Sequence, residues 1–323
     1  MTPYLLRRMG LIFALACMAM LPALSRGQSV WPTKPITVIV PFAPGGAGNG
    51  SLRILTETMA LQLSQAIVVD NRPGAGGITG TSMVTGSSDD HLFLMGSTSM
   101  TILPALRKDL PYDPQRDLKP VGMISSQPLV LVVAANSPLQ GLDDLLSQGR
   151  AGHLSAGNSG IGTLSHLVTE LINHKLQTRI TPVPYKGDSV LLPDVASGAV
   201  SVGVVNLPVA LPLIQSGRLR ALSVTSRHPP ATLPGVLPLR TLGEEFVING
   251  WAALFAARNV PPVEVERIGA LLRQALAQPA TKDKFAAFGV SPEISTPSQL
   301  QTFVQSETRR WTDVINSRGI KLD

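Results

Sequence analysis

Short apolar runs alternate along the chain with stretches in which apolar positions recur every three or four residues. ITVIVPF (Ile36 to Phe42), AIVVDN (Ala66 to Asn71), HLFLMGS (His91 to Ser97) and PLVLVVAA (Pro128 to Ala135) are runs bounded by turn residues, the pattern of buried strands. SLRILTETMALQL (Ser51 to Leu63), LDDLLSQ (Leu142 to Gln148) and LSHLVTELINHKL (Leu164 to Leu176) carry helical spacing, and a short helix is expected to begin near Thr79. ITPVPYKG, VLLPDVASG and AVSVGVVN continue the alternation, followed by the strand-like RLRALSVTS (Arg218 to Ser226) and GWAALFAA (Gly250 to Ala257). Two amphipathic helices, Val263 to Gln278 and Pro297 to Ser317, close the sequence. This order predicts an α/β fold with a largely parallel sheet in each of two lobes. The chain is expected to cross between lobes just before Pro128 and again near Asn249. Residues 28–126 and 250–323 would then form lobe 1, and 127–249 an inserted lobe 2 with a hinge between them.

The N-terminus adds a location. Arg7 and Arg8 precede an apolar run from Leu11 to Leu24, too short to cross a membrane, and small residues follow at Ala23, Ser25 and Gly27. Residues 1–27 read as a secretory signal cleaved after Ser25 or Gly27, so the mature protein is expected in the periplasm. The single cysteine, Cys17, lies inside that segment, which leaves the mature chain without thiol or disulfide. Lys and Arg outnumber Asp and Glu by 27 to 21, but they are scattered, without a basic block or interleaved aromatics. Nucleic acid is therefore not an expected partner.

Two loops carry candidate chemistry. PFAPGGAGNG follows the first strand, and GNSGIGT precedes the helix that starts at Leu164. Glycines bring backbone N–H groups close to a ligand, and both loops run into a helix N-terminus, whose free N–H groups favour anions. Asn49 or Ser51 could cap the first of these helices, and Thr163 and Ser159 add hydroxyls to the second loop, with His166 one turn behind. The bland reading is that both are ordinary strand-to-helix turns. A dinucleotide site is the competing reading, with Asp70 as its acid, but the third glycine of G-x-G-x-x-G falls on Ser51. A serine hydrolase would need Gly where Ile161 stands. His166, Glu170 and His174 share one helix face, but without an H-E-x-x-H pattern no metal is expected. Neither Pro44 to Ser51 nor Ser155 to His166 contains an Asp, Glu, Lys or Arg. That inventory favours a small carboxylate without an ammonium group, unless an acid from another loop, such as Asp188, joins the site.

PFAPGG, VVDNRPGAGG, LPYDPQRDLKPV, GIGTLSHL, VPYKG, NLPVALPLIQSGRLRALSVTS and RRWTDVINSRGIK occur in this order from Trp31 to the C-terminus. In this the chain resembles the solute-binding receptors of tripartite tricarboxylate transporters, the Bug receptors. The resemblance implies a type II periplasmic-binding-protein fold with the ligand cleft between two lobes. It also implies capture of a small carboxylate and delivery to membrane permease subunits by a monomer that is not an enzyme and carries no cofactor. Ligand-binding positions carried over are Pro44, Gly45, Gly46, Ala47, Gly48, Asn49, Asn158, Ser159, Gly162, Thr163, His166 and Asn206. The chain departs from the family pattern at Gly48 and Asn49, where a hydroxyl residue and Asp are usual. It departs again at Val205, where Asp is usual, at Ala156, where Tyr is usual, and in the turn Ser88-Asp89-Asp90-His91. Two other functions fit the same pattern less directly: a ligand-sensing subunit that signals to a membrane sensor kinase, and an exported enzyme acting on a carboxylate.

Overall fold

A computed structural model describes residues 31–318; the proposed signal segment lies outside the described residues. The chain divides into two units, Met1–Thr33 and Lys34–Asp323, and every element below belongs to the second. Its strands are β1 (Ile36–Val40), β2 (Ile67–Asn71), β3 (Leu92–Ser97), β4 (Leu118–Ala134), β5 (Ser155–Asn158), β6 (Thr181–Pro184), β7 (Val202–Asn206), β8 (Leu219–Val224), β9 (Asn249–Ala257) and β10 (Ser291–Pro292). The α-helices are α1 (Ala47–Leu63), α2 (Ile78–Thr85), α3 (Ser99–Leu106), α4 (Pro114–Asp117), α5 (Leu142–Ala151), α6 (Leu164–Leu176), α7 (Asp188–Ser197), α8 (Leu207–Gln215), α9 (Pro262–Ala277), α10 (Pro279–Phe288) and α11 (Pro297–Arg318).

Two sheets are built on one long strand. In the first, β2, β1 and β3 are parallel, and β9 and β4 follow in antiparallel register. In the second, β6, β5 and β7 are parallel, and β4 and β8 complete it antiparallel. Strand β4 pairs with β9 from Leu118 to Pro128 and with β7 and β8 from Leu129 to Ala134. The expectation of largely parallel sheets therefore holds only for β2, β1 and β3 in the first sheet and β6, β5 and β7 in the second. The chain leaves the first sheet along β4 and returns along β9, and an outgoing and a returning strand that sit side by side run in opposite directions.

Periodicity explains the packing. Along β4, Leu129, Leu131 and Val133 face one cluster, which α6 and Trp311 of α11 help to build. Val130 and Val132 face another with Leu191 and Val195 of α7 and Leu207 of α8. Both faces are buried, so the run lacks polar alternation. In the first sheet Val38, Phe93, Ile124 and Leu254 meet Leu52 and Met59 of α1 and Ile268 and Leu272 of α9.

Several elements depart from the sequence reading. α1 begins at Ala47 rather than Ser51, because the Gly-rich segment enters the helix with Gly46 as its N-cap. Ser51 and Asn49 are not caps; the Ser51 hydroxyl donates back to the Ala47 carbonyl at 3.0 Å. α3 and α8 contain Pro104 and Pro212, residues that argue against helix in a sequence. The first half of β4 was hidden by Pro120 and Gly122, where the register with β9 shifts.

Thr225 ties the two crossing strands together. It is fully buried, its hydroxyl accepts from the Leu129 N–H at 2.8 Å and donates to the Ile248 carbonyl at 2.6 Å. Thr225→Val keeps the shape and removes the hydroxyl, leaving a buried N–H and carbonyl without their partner. It is expected to lower unfolding free energy by about 1–3 kcal/mol, read from urea denaturation, whereas Thr225→Ser should retain most of the stability.

Candidate functional site

The carboxyl ends of β1, β3, β5, β6 and β7 converge on one cleft, where β4 and β9 pass between the sheets. Open α/β sheets place ligands at such ends because loops there are free of the strand ladder. The cleft encloses about 670 Å³, part of it continuous with solvent. Five helices start at its wall: α1 at Gly46 to Asn49, α3 at Thr98 and Ser99, α6 at Thr163 to Ser165, α7 at Gly187 and Asp188, and α8 at Asn206. Each first turn carries N–H groups without an intrahelical acceptor and the positive end of a peptide dipole. Among the described residues, the lining includes no Lys, Arg or His. The cleft therefore suits an anion held by backbone donors rather than by a basic side chain.

Of the residues singled out in the sequence, Gly46, Ala47, Gly48, Asn49, Ser159, Thr163 and Asn206 line the cleft, whereas Pro44, Gly45, Asn158, Gly162 and His166 stand outside its lining. Asn49 does not offer its side chain freely: its Nδ2 donates to Asn71 at 3.2 Å and its Oδ1 accepts from Arg53 at 3.1 Å. The Thr163 hydroxyl is likewise engaged, donating to the Gly160 carbonyl at 2.6 Å. Asn158 Oδ1 accepts from the Gly160 N–H at 3.0 Å and so shapes the loop from beneath. Gly162 sits at φ +77°, and a Cβ there would lie 2.3 Å from Leu103, so this glycine is required for the loop's conformation.

Pro44 and Gly45 lie where loops attached to the two sheets touch. The Pro44 carbonyl accepts from the Ser189 hydroxyl at 2.6 Å, and the Ala43 N–H donates to the Lys186 carbonyl at 3.0 Å. Further along, a Cβ at Gly76 would lie 1.9 Å from the Ile161 carbonyl oxygen.

The sequence reading left out several wall residues. Ser97 ends β3 and Thr98 and Ser99 follow it at a strand-to-helix junction like those of the two glycine loops, and Gln127 and Trp251 come from the crossing strands. Asp188, the acid from another loop that the sequence reading named as able to join the site, does join it. It lines the cleft at 4% exposure. One carboxylate oxygen accepts from the Ser159 hydroxyl; the other accepts from the Asn206 N–H at 3.1 Å and from Asn206 Nδ2 at 2.6 Å. Burial pushes its pKa up, against those three hydrogen bonds, which favour the ionised form.

His166 Nδ1 accepts from the Gly162 N–H at 3.4 Å, and Nε2 lies 3.6 Å from Glu170. His174 is exposed, on the last turn of α6. Elsewhere Asp89, Asp90 and His91 bring potential ligand atoms within 4.8 Å. Lys34 pairs with Asp89 at 3.0 Å and His91 with Asp90 at 2.6 Å, so these groups satisfy one another.

Comparison with known proteins agrees with this geometry. The fold is that of solved two-lobe periplasmic binding proteins. Residues 51–320 match the model of the tripartite tricarboxylate transporter family receptor, TctC, and the chain belongs to that family. It is 36% identical to protein BugT of Bordetella pertussis, over 90% of this chain and 91% of that one. A Rhodopseudomonas palustris protein solved with adipate is 30% identical, with TM-score 0.85 over 90% of this chain and 99% of that one. MatC of the same organism, solved with bound malate, is 28% identical, with TM-score 0.82 over 88% and 100%. The family consists of solute-binding receptors.

Burial holds the His166 pKa below the usual imidazole range. The unfolded chain then takes up a proton at a pH where the folded protein does not, so stability falls as pH drops through about 6.5 toward the folded value. The urea midpoint is expected to fall between about pH 7.5 and about pH 5.5, and His166→Gln should make that fall shallower. An identical pH profile in the variant would remove His166 as its source.

Proposed function

We propose that this protein is the periplasmic receptor of a tripartite tricarboxylate-type transporter, exported by a signal at residues 1–27, and that it delivers a small carboxylate to membrane permease subunits. The observation that carries the reading is the convergence of five helix N-termini on a cleft whose lining, among the described residues, holds no basic side chain. Such a wall binds carboxylates through oriented N–H groups. The malate and adipate held by related receptors support the same ligand class. In this reading the protein binds and releases its ligand without chemistry.

The ligand-contacting groups are assigned to the first turns of α1 and α6, near Gly46, Ala47, Gly48, Ser159 and Thr163, with Asn206 from the end of β7. The lobes are assigned as 28–126 with 250–323, and 127–249. The change of partner of β4 between Pro128 and Leu129, and the start of β9 at Asn249, support hinges at these two crossings. The touching loops at Pro44–Ser189, Ala43–Lys186 and Gly76–Ile161 correspond to the closed arrangement.

Carboxylates are expected to raise the thermal midpoint, whereas primary amides of the same skeleton should not. At a hundredfold excess over the dissociation constant the gain is about 2.7 kcal/mol. Stabilisation by amides and carboxylates alike would sink the anion-binding reading. Small-angle scattering should also give a smaller radius of gyration with a saturating carboxylate than without it, and an unchanged radius would count against hinge closure.

A further inference from the structure

The polar atoms of the cleft are not all donors. Asp188, Asn206 and Gln127 form a hydrogen-bonded chain whose polarity is fixed from one end. Both Asp188 oxygens accept, Oδ1 from the Ser159 hydroxyl and Oδ2 from the Asn206 N–H. Asn206 therefore turns its Nδ2 to Asp188, at 2.6 Å, and its Oδ1 toward Gln127. Gln127 must then present Nε2, at 3.0 Å from Asn206 Oδ1. What remains is Gln127 Oε1, a buried acceptor without a hydrogen-bond partner in a residue that lines the cleft. Asp188 Oδ1 accepts only from Ser159 and keeps a second lone pair. Trp251 Nε1, also buried and without a hydrogen-bond partner, is a donor in the same lining.

The charge balance sharpens this. Asp188 is the one ionisable side chain among the described lining residues, and no basic side chain lines the cleft with it. Lys186, two residues earlier, is exposed and outside the lining. A ligand bearing only carboxylates would bring like charge toward a buried acid. A ligand with a cation would pair that acid and supply N–H donors to both open acceptors.

We propose that the cleft selects a carboxylate that also carries an ammonium group, with Asp188 and Gln127 Oε1 receiving the ammonium and the helix N-termini receiving the carboxylate. This rests on the carboxylate-binding reading above and narrows its ligand class. It reverses the expectation drawn from the two glycine loops alone, because the acid comes from the start of α7 and the acceptor from β4.

Calorimetry on matched pairs tests it: aspartate against succinate, glutamate against glutarate, and phenylalanine against 3-phenylpropionate. In the wild-type protein the tightest-binding pair should favour its amino member. Asp188→Asn should weaken that member by roughly ten- to hundredfold and leave its deaminated partner equal or tighter. Gln127→Met, which leaves Asp188 in place, should weaken the amino member in the same sense and serves if Asp188→Asn does not fold. Tighter binding of the deaminated members by the wild type, or an Asp188→Asn protein of lower thermal midpoint with unchanged ligand preference, would overturn the assignment while leaving the carboxylate reading intact. Silence of every pair in folded wild-type protein would overturn both.

Discussion

Membership of β4 in two sheets is the constraint from which the other features follow. A strand hydrogen-bonded to β9 over its first part and to β7 and β8 over its second joins the two sheets through its own middle. The middle is where Gln127 and Leu129 face the cleft. Its return partner, β9, brings Gly250 and Trp251 to the same place. Thr225 fastens both crossings with its hydroxyl and its backbone, so the floor of the cleft is made of hydrogen-bonded main chain.

Parallel pairing on either side of that floor sets the electrostatics. Each parallel strand is followed by a helix that returns antiparallel to it, so every such helix begins where its strand ends. Five beginnings meet at one cleft, and their dipoles supply positive potential where the described lining residues include no cationic side chain. An array of this kind is oriented before the ligand arrives and loses no side-chain entropy on binding, unlike a lysine or arginine that must be immobilised. The same potential makes a buried Asp188 tolerable: it sits in the first turn of α7 and accepts from Asn206 and Ser159.

Much of the frame was legible in the sequence, because buried strands and amphipathic helices announce themselves by periodicity. The helix Leu164–Leu176 was read with its observed bounds, and most strands came within a residue or two. Legibility failed where local chemistry opposed the final structure. Prolines concealed α3 and α8, and the glycines before Ser51 concealed the first turn of α1, where packing on the sheet overrides weak helix propensity. The site was legible loop by loop, since each glycine-rich turn marks a strand-to-helix junction. It was not legible as a whole. Nothing in VPYKGD places Asp188 beside Ser159, 29 residues earlier, or beside Asn206, 18 residues later. That proximity is a product of sheet order, in which β6 and β7 flank β5.

The contacts across the mouth of the cleft are made largely by main-chain atoms. The Ala43 N–H meets the Lys186 carbonyl, and Gly76 abuts the Ile161 carbonyl too closely for any side chain to intervene. Main-chain groups persist through nearly every substitution. The side chains that line the interior, among them Asp188, Gln127, Ser97 and Trp251, can therefore change without removing these main-chain contacts. The architecture separates the question of what is held from the question of how the loops around it are held together.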